Sequence, residues 1–143
     1  MILVPNVAEP VIPKPGVVKE WLADGQILCY RMENTERISI DQCAADFART
    51  VNGLPANGFL RLMIDLHSEN AVISAYALHR AREVCRLRPD IRGQVAVLVT
   101  NRLTSQIASL ALRGLPLNSS RARLVFSCEA DAIAWLLGDG RIA

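Results

Sequence analysis

Two short polar segments of this sequence could carry chemistry, because each follows an apolar run and precedes a helical pattern. His67-Ser68-Glu69-Asn70 comes after FLRLMIDL, and a second segment begins at Thr100, after GQVAVLVT. In open α/β sheets, ligands bind beyond the carboxyl ends of the strands, where helix N-termini favour anions. If the two runs are neighbouring parallel strands, both segments meet at one rim suited to a small anion such as phosphate or carboxylate. The candidate rim residues are His67, Ser68, Asn70, Asn101, Arg102 and Ser105.

The same residue types also have a purely structural interpretation, which stays open at this point. Ser, Asn and Thr side chains cap helices and satisfy backbone groups in turns. Asp65 is expected to accept backbone N–H groups from its own turn. His67 stands beside Ser68 and Asp65, but adjacency in sequence is not the geometry of a catalytic triad. The sequence has no G-x-S-x-G elbow and no glycine-rich phosphate loop, so we expect no catalytic residue and no enzyme activity.

A second polar pattern lies within the helix that follows the first polar segment. His79, Arg82, Glu83 and Arg86 share one helical face, since spacings of three, four and seven do so. One interpretation is a solvated face with a His79–Glu83 pair. The other is a docking surface for a partner, with His79, Arg82 and Arg86 as the contacting residues. No aromatic side chains are interleaved with these arginines, so we expect no nucleic-acid binding.

Chain length, net charge and apolar runs limit the possible classes of protein. The 143 residues fit one domain, and a globule of this length buries roughly 70% of its extended-chain surface. The net charge of +2 is too small to argue for nucleic acid. No apolar run reaches the ~20 residues needed to span a membrane, so we expect no membrane span. The N-terminus lacks the basic region of a signal peptide, so we expect a cytoplasmic protein.

The four cysteines do not form a recognisable metal site. They show no C-x-x-C pair and no His at ligand spacing, and each lies in or beside an apolar pattern. We therefore expect free thiols in a reducing compartment, with no metal and no cofactor. The residues are Cys29, Cys43, Cys85 and Cys128.

The elements that must position these residues can be read from turn signals and apolar spacing. Residues 1–15 hold four of the seven prolines and predict an extended arm, and residues 16–143 predict a single domain. Asp24-Gly25 between two strand-like runs predicts a β-hairpin. The remainder alternates strands with helices, which gives the order β-β-α-β-α-β-α-β-α. This predicts an α/β fold with a single-layer, mixed, mostly parallel sheet, an N-terminal hairpin and four helices.

Apolar spacing and capping residues predict how each helix packs. Ser39 and Gln42 predict a capping box at the start of the first helix. The third helix, 101–114, is expected to turn Ile107 inward, and Ser127 is expected to cap the fourth. The inner face of the second helix is predicted as Ile73, Tyr76, Ala77, Ala81, Val84 and Cys85. The inner face of the fourth is predicted as Ile133, Leu136 and Leu137.

From Val17 to Gly138 the chain resembles the STAS domain, the fold of anti-sigma-factor antagonists, and especially its divergent bacterial relatives in the SpoIIAA-like superfamily. The residues that carry the resemblance are MIDL, followed by a polar loop and a helix, and the closing ARLVFSCEADAIAWLLG. It implies a regulatory module that binds a regulatory protein or self-associates through the arm or an edge strand.

The sequence differs from the family at the phosphorylation switch. Switching members of the family carry Asp-Ser-Ser-Gly at the start of the helix after this strand. Counted from Asp65, that stretch falls on Ile73, Ser74, Ala75 and Tyr76, so the acceptor position reads alanine. A working phosphoserine switch is therefore not expected. Ser74, one residue earlier, is the candidate phosphoacceptor, and a kinase could use it only if the register shifts by one.

Three classes of function remain at this point. A non-enzymatic interaction module is the expected one. The alternative is a binding protein for a small anion or a lipid-like molecule, which needs a sizeable apolar cavity. An enzyme is the least expected, because His67 and His79 are the only histidines and lie about three helical turns apart in the sequence.

Overall fold

The computed structural model describes residues 16–100, 106–107, 113 and 121–138. The predicted arm and the candidate rim residues Asn101, Arg102 and Ser105 lie outside the described residues, as does most of the third predicted helix. Positions 106, 107 and 113 of that helix are helical, but Ile107, predicted to face inward, is 47% exposed. Three of the four predicted helices are described in full.

The described strands form one mixed sheet in chain order. Its first strand pairs antiparallel with the second, and the other neighbours are parallel. Both the predicted α/β class and the N-terminal hairpin are confirmed. Asp24 and Gly25 in the hairpin turn have φ values of 56° and 86°, which suit these residue types. The strands are β1 (Val17–Leu22), β2 (Ile27–Met32), β3 (Phe59–Asp65), β4 (Arg92–Leu98) and β5 (Arg121–Phe126).

Helices cover both faces of this sheet. They are α1 (Arg37–Asn52), α2 (Ala75–Cys85) and α3 (Glu129–Leu137). Successive side chains of a strand point to opposite faces. Leu28 of β2 accordingly joins the apolar cluster that contains Phe47 of α1, whereas Cys29 joins the cluster that contains Leu136 of α3. The helix α2 lies beside α1, over the same face of the sheet.

The predicted capping box of α1 is wrong. The helix begins at Arg37, with Glu36 as an N-cap that makes no side-chain cap bond. Ser39 therefore lies within the first turn, where it is buried and donates to Asn34 Oδ1 over 2.7 Å. The same oxygen accepts the backbone N–H of Glu36. The helix starts earlier than predicted because Asn34 satisfies these groups from outside it.

The predicted start and inner face of α3 are also wrong in part. Its N-cap is Cys128 instead of Ser127, and Leu137 is 39% exposed while Leu136 is fully buried. Side chains from the sheet satisfy the last carbonyl groups of α3: Arg61 Nε donates to Leu136 O over 2.7 Å. Gln94 Nε2 donates to Trp135 O over 3.3 Å. A helix end that is capped by the sheet in this way is fixed to it.

A buried carboxylate joins α1 to the hairpin. Asp46 lies on the inner side of α1 at 2% exposure. It accepts a hydrogen bond from Tyr30 Oη at 2.5 Å and forms an ion pair with Lys19 Nζ at 2.9 Å. Burial, together with the hydrogen bond to Asp46, raises the pKa of Tyr30, so its hydroxyl remains a donor. Apolar spacing alone does not reveal this carboxylate.

We expect Asp46→Ala to lower the free energy of unfolding by about 3 kcal/mol, because it removes the acceptor of the buried Tyr30 hydroxyl and the ion-pair partner of Lys19. Urea denaturation measures the change. Arg49→Ala is the matched control, since Arg49 contacts the same carboxylate at 3.3 Å from a largely exposed position. Its loss should be at most about 1 kcal/mol. Equal losses for the two variants would contradict a structural role for buried Asp46.

Candidate functional site

The described part of the predicted rim forms a tightly bonded turn. The strands β3 and β4 are parallel neighbours, as the rim hypothesis requires. Asp65 Oδ1 accepts the backbone N–H of His67 at 2.8 Å, as predicted, and lies 3.0 Å from His67 Nδ1. Ser68 Oγ donates to Glu33 O and accepts the N–H of Asn70. The Ser68 hydroxyl is therefore directed to the backbone of another loop and not to the imidazole of His67.

Asp65 also belongs to an ion cluster that the sequence analysis did not predict. Arg31 Nη1 donates to Asp65 Oδ2 over 2.8 Å and to Glu129 Oε1 over 3.0 Å, and Arg31 Nε donates to Glu20 over 3.0 Å. Hydrogen bonds to Glu129 first, then to Asp65 and Glu20, raise the pKa of Arg31 against the opposing effect of burial. One guanidinium thus joins β1, β2, β3 and α3. The sequence offered one signal of this cluster: Arg31 lies in a strand whose two faces are both covered, so its guanidinium needs partners.

The described residues contain neither a metal-binding cluster nor a membrane-spanning helix. Within the described ranges, no group of three or more His, Cys, Asp or Glu side chains is arranged to hold a metal ion. No helix among these residues is both long enough and apolar enough to cross a membrane.

Ser74, the candidate phosphoacceptor, is the N-cap of α2. Its Oγ accepts the backbone N–H of Ala77 over 3.1 Å, and its backbone is extended. This hydrogen bond gives Ser74 a structural role as a helix cap. A phosphate at a helix N-terminus is electrostatically favourable, and phosphorylation of Ser74 stays a prediction.

Polar contacts with α1 hold α2 in place. Asp41 of α1 accepts a hydrogen bond from Tyr76 Oη, and a second from Arg80 Nε over 3.2 Å. The guanidinium of Arg37 stacks 4.1 Å from the centre of the Tyr76 ring. No residue of α2 is buried, although its apolar spacing predicted a packed inner face. The side of the helix was predicted correctly, but its side chains are only partly buried because they border an unfilled space instead of packing fully on the sheet.

An apolar cavity occupies the space between α2 and the sheet. Its volume is about 240 Å³, and its wall combines the sheet, α1, α2 and the loop before α2. Five of the six residues predicted to form the inner face of α2 line this cavity, and Tyr76 is turned towards α1 instead. The apolar lining includes Met32, Ile40, Ala44, Phe47, Leu60, Leu62, Ile64, Leu66, Val72, Ile73, Ala77, Leu78, Ala81, Val84, Val95 and Val97.

Three polar residues at the cavity wall do not offer it a free polar group or a charge. They are Tyr30, Thr35 and Cys43. Tyr30 Oη is directed to Asp46, and Thr35 Oγ1 donates to Val72 O while it accepts the Val72 N–H. Burial raises the pKa of the Cys43 thiol to about 12. The cavity therefore presents a neutral hydrocarbon surface over most of its wall. Such a space suits an apolar occupant better than water.

The predicted docking residues lie on the solvent side of α2. His79, Arg82 and Arg86 are all exposed, and His79 Nε2 lies 3.5 Å from Glu83 Oε2, as the sequence predicted. The inner side of the same helix, with Ala77 and Ala81, lines the cavity. A single helix thus separates a basic outer stripe from an apolar interior space.

Comparisons with known proteins add no relative to this description. No family model, no curated protein and no solved structure matches the chain.

Replacement of Ser74 tests its role as a cap. We expect Ser74→Ala to lower the free energy of unfolding by about 1 kcal/mol, because the N–H of Ala77 loses its acceptor. Ser74→Asp should retain most of the stability, since aspartate caps helices as well as serine does. Urea denaturation of the three proteins measures both values. A loss with aspartate as large as with alanine would contradict the capping role.

Proposed function

We propose that the protein is a non-enzymatic binding domain that holds a small apolar molecule between α2 and the sheet. The observation that carries the proposal is the 240 Å³ apolar cavity, which lies where the sequence predicts a packed core. Apolar side chains that line an unfilled space have no packing partners on that side, and an apolar occupant supplies those contacts.

The volume limits the size of the ligand. An engineered cavity of ~150 Å³ in another protein binds benzene, so in proportion this cavity holds about ten carbon atoms. It is smaller than the ~300–1,000 Å³ of sites for drug-sized ligands. A single medium-length hydrocarbon chain or a fused two-ring system fits, and a complete phospholipid does not. Ten methylene groups contribute about 8 kcal/mol before the costs of association, so dissociation constants of about 1 µM or weaker are expected.

The fold is compatible with the STAS-like domain that the sequence suggested. A mixed sheet with an N-terminal antiparallel hairpin and helices on both faces agrees with a STAS-like domain. We retain that assignment as part of the proposal. The rim at the end of β3 supports catalysis less well, because the Ser68 hydroxyl is committed to a backbone carbonyl.

Binding of straight-chain alcohols from hexanol to tetradecanol tests the proposal. We expect the affinity measured by titration calorimetry to rise up to about fourfold per CH₂ group and to level off near ten carbons, where the cavity is full. A protein that binds none of the alcohols, or whose affinity does not depend on length, contradicts the proposal.

A cavity-filling substitution provides the matched control for this experiment. Ala81 lines the cavity, and Ala75 is an exposed residue of the same helix that does not line it. We expect Ala81→Phe to abolish decanol binding, because its ring is about the size of the benzene that fills ~150 Å³. Ala75→Phe should bind decanol as the unchanged protein does. Equal binding by the two variants would place the alcohol elsewhere.

The exposed stripe of α2 favours a second candidate function. His79, Arg82 and Arg86 form a basic surface on a helix whose inner side borders the cavity. This supports the regulatory interaction module that the resemblance implies, with an acidic surface of a regulatory protein or of a second copy as the partner.

Photo-crosslinking tests this second candidate. With a photoreactive residue at position 82, we expect a discrete crosslinked product in cells that express the protein. The product should disappear when Arg86→Glu is added and persist with Arg92→Glu, since Arg92 is an exposed arginine of β4, away from the stripe. A product insensitive to Arg86→Glu would contradict docking at the stripe.

A further inference from the structure

The lining of the cavity extends along almost the whole length of β3. Leu60, Leu62 and Ile64 line it from alternate positions of the strand, and Leu66 continues the series beyond the strand end. Successive residues of a strand rise by ~3.3 Å, so the six steps from Leu60 to Leu66 span ~20 Å. The cavity is therefore long in the direction of the strands.

The lining also shifts from one strand to the next along this direction. Tyr30 of β2 and Val125 of β5 lie at the same level of the sheet, and of these two described residues Tyr30 lines the cavity while Val125 does not. Two residues closer to the amino ends of the strands, Leu28 of β2 and Arg123 of β5 share a level. There Arg123 lines the cavity and Leu28 does not. The space therefore crosses the sheet diagonally, from β2 at the carboxyl ends to β5 at the amino ends.

A diagonal space of this kind is much longer than it is wide. Its volume is about 240 Å³, and a rounded space of that volume would not reach residues ~20 Å apart along the sheet. Its surface is almost entirely apolar, so Arg121 and Arg123 contribute the methylene groups of their side chains to it. The guanidinium of Arg121 is engaged by the carbonyl oxygens of Leu87, Arg88 and Ile91. The cavity is thus a narrow apolar channel with no charged group to receive a ligand head.

We infer that the ligand is an unbranched hydrocarbon chain, bound in an extended form along the diagonal of the sheet. The inference rests on the proposed function, and it selects a single chain over the fused rings that the volume alone also admits. An extended chain contacts the walls of a narrow channel along its whole length. A fused ring system is wider and shorter, so it would displace side chains at one place and leave the rest of the lining without contacts.

Three alcohols with ten carbon atoms each test the shape of the ligand. They are 1-decanol, decahydro-2-naphthol and 1-adamantanol, each titrated calorimetrically into the intact protein. Because the three compounds differ in hydrophobicity, each association constant is divided by the water–octanol partition coefficient of the compound. After this correction we expect decanol to bind at least about tenfold tighter than either ring compound, since a wide group in a narrow space displaces packed side chains.

Replacement of two cross-strand partners tests the diagonal path. Val97 of β4 and Val125 of β5 lie opposite each other, and Val97 lines the cavity whereas Val125 does not. We expect Val97→Ala to raise the affinity for dodecanol relative to decanol by up to about fourfold per added CH₂ group, because the loss of two methyl groups enlarges the space. Val125→Ala is the matched control and should leave this ratio unchanged. Circular dichroism checks that both variants fold.

The outcomes separate this inference from the function on which it rests. A ring compound whose corrected affinity equals or exceeds that of decanol overturns the extended chain and leaves the apolar site intact. Equal dodecanol-to-decanol ratios in the two variants overturn the diagonal path. If none of the three ten-carbon alcohols binds, the proposed function itself fails.

Discussion

The carboxylate of Asp41 joins α2 to α1, because it accepts hydrogen bonds from both Tyr76 and Arg80. These contacts place the helix against α1, where its inner side lines the cavity and Val84 also packs against the apolar cluster that contains Phe47. The apolar cavity follows directly from this geometry. Had α2 been held mainly by its apolar face, the same residues would be expected to pack on β3 and β4 and close the space.

The two faces of the sheet are built differently, and the difference supports a binding role for one of them. On one face, α3 packs directly on the sheet, and Arg31, Arg61 and Gln94 fasten its two ends. On the other face, α1 packs well through Phe47, whereas α2 is attached by polar side chains. A rigid sheet with one firmly held face can keep its shape while the opposite face receives a ligand.

Sequence patterns predicted the parts of this structure that depend on local signals. The Asp24-Gly25 turn, the alternation of strands and helices and the parallel β3–β4 pair all follow from turn chemistry and periodicity. The spacing of Ala77, Ala81 and Val84 also predicted correctly which side of α2 faces the sheet. Periodicity does not say how far a helix stands from the sheet, so it could not distinguish a packed face from a cavity wall.

Other features escaped prediction because they depend on contacts between residues distant in sequence. Asp46 is buried only because Tyr30 and Lys19 meet it from the hairpin. The ion cluster around Arg31 needs Glu129, 98 residues away in the chain.

The central claim is that the space between α2 and the sheet is an apolar binding cavity. A crystal structure of the protein pressurised with xenon tests it most directly, since xenon occupies apolar cavities and scatters strongly. We predict xenon between α2 and the sheet, bounded by Ala81, Leu62 and Val97. A structure in which Ala81 packs directly on β3 and β4, with no xenon between them, would contradict the claim.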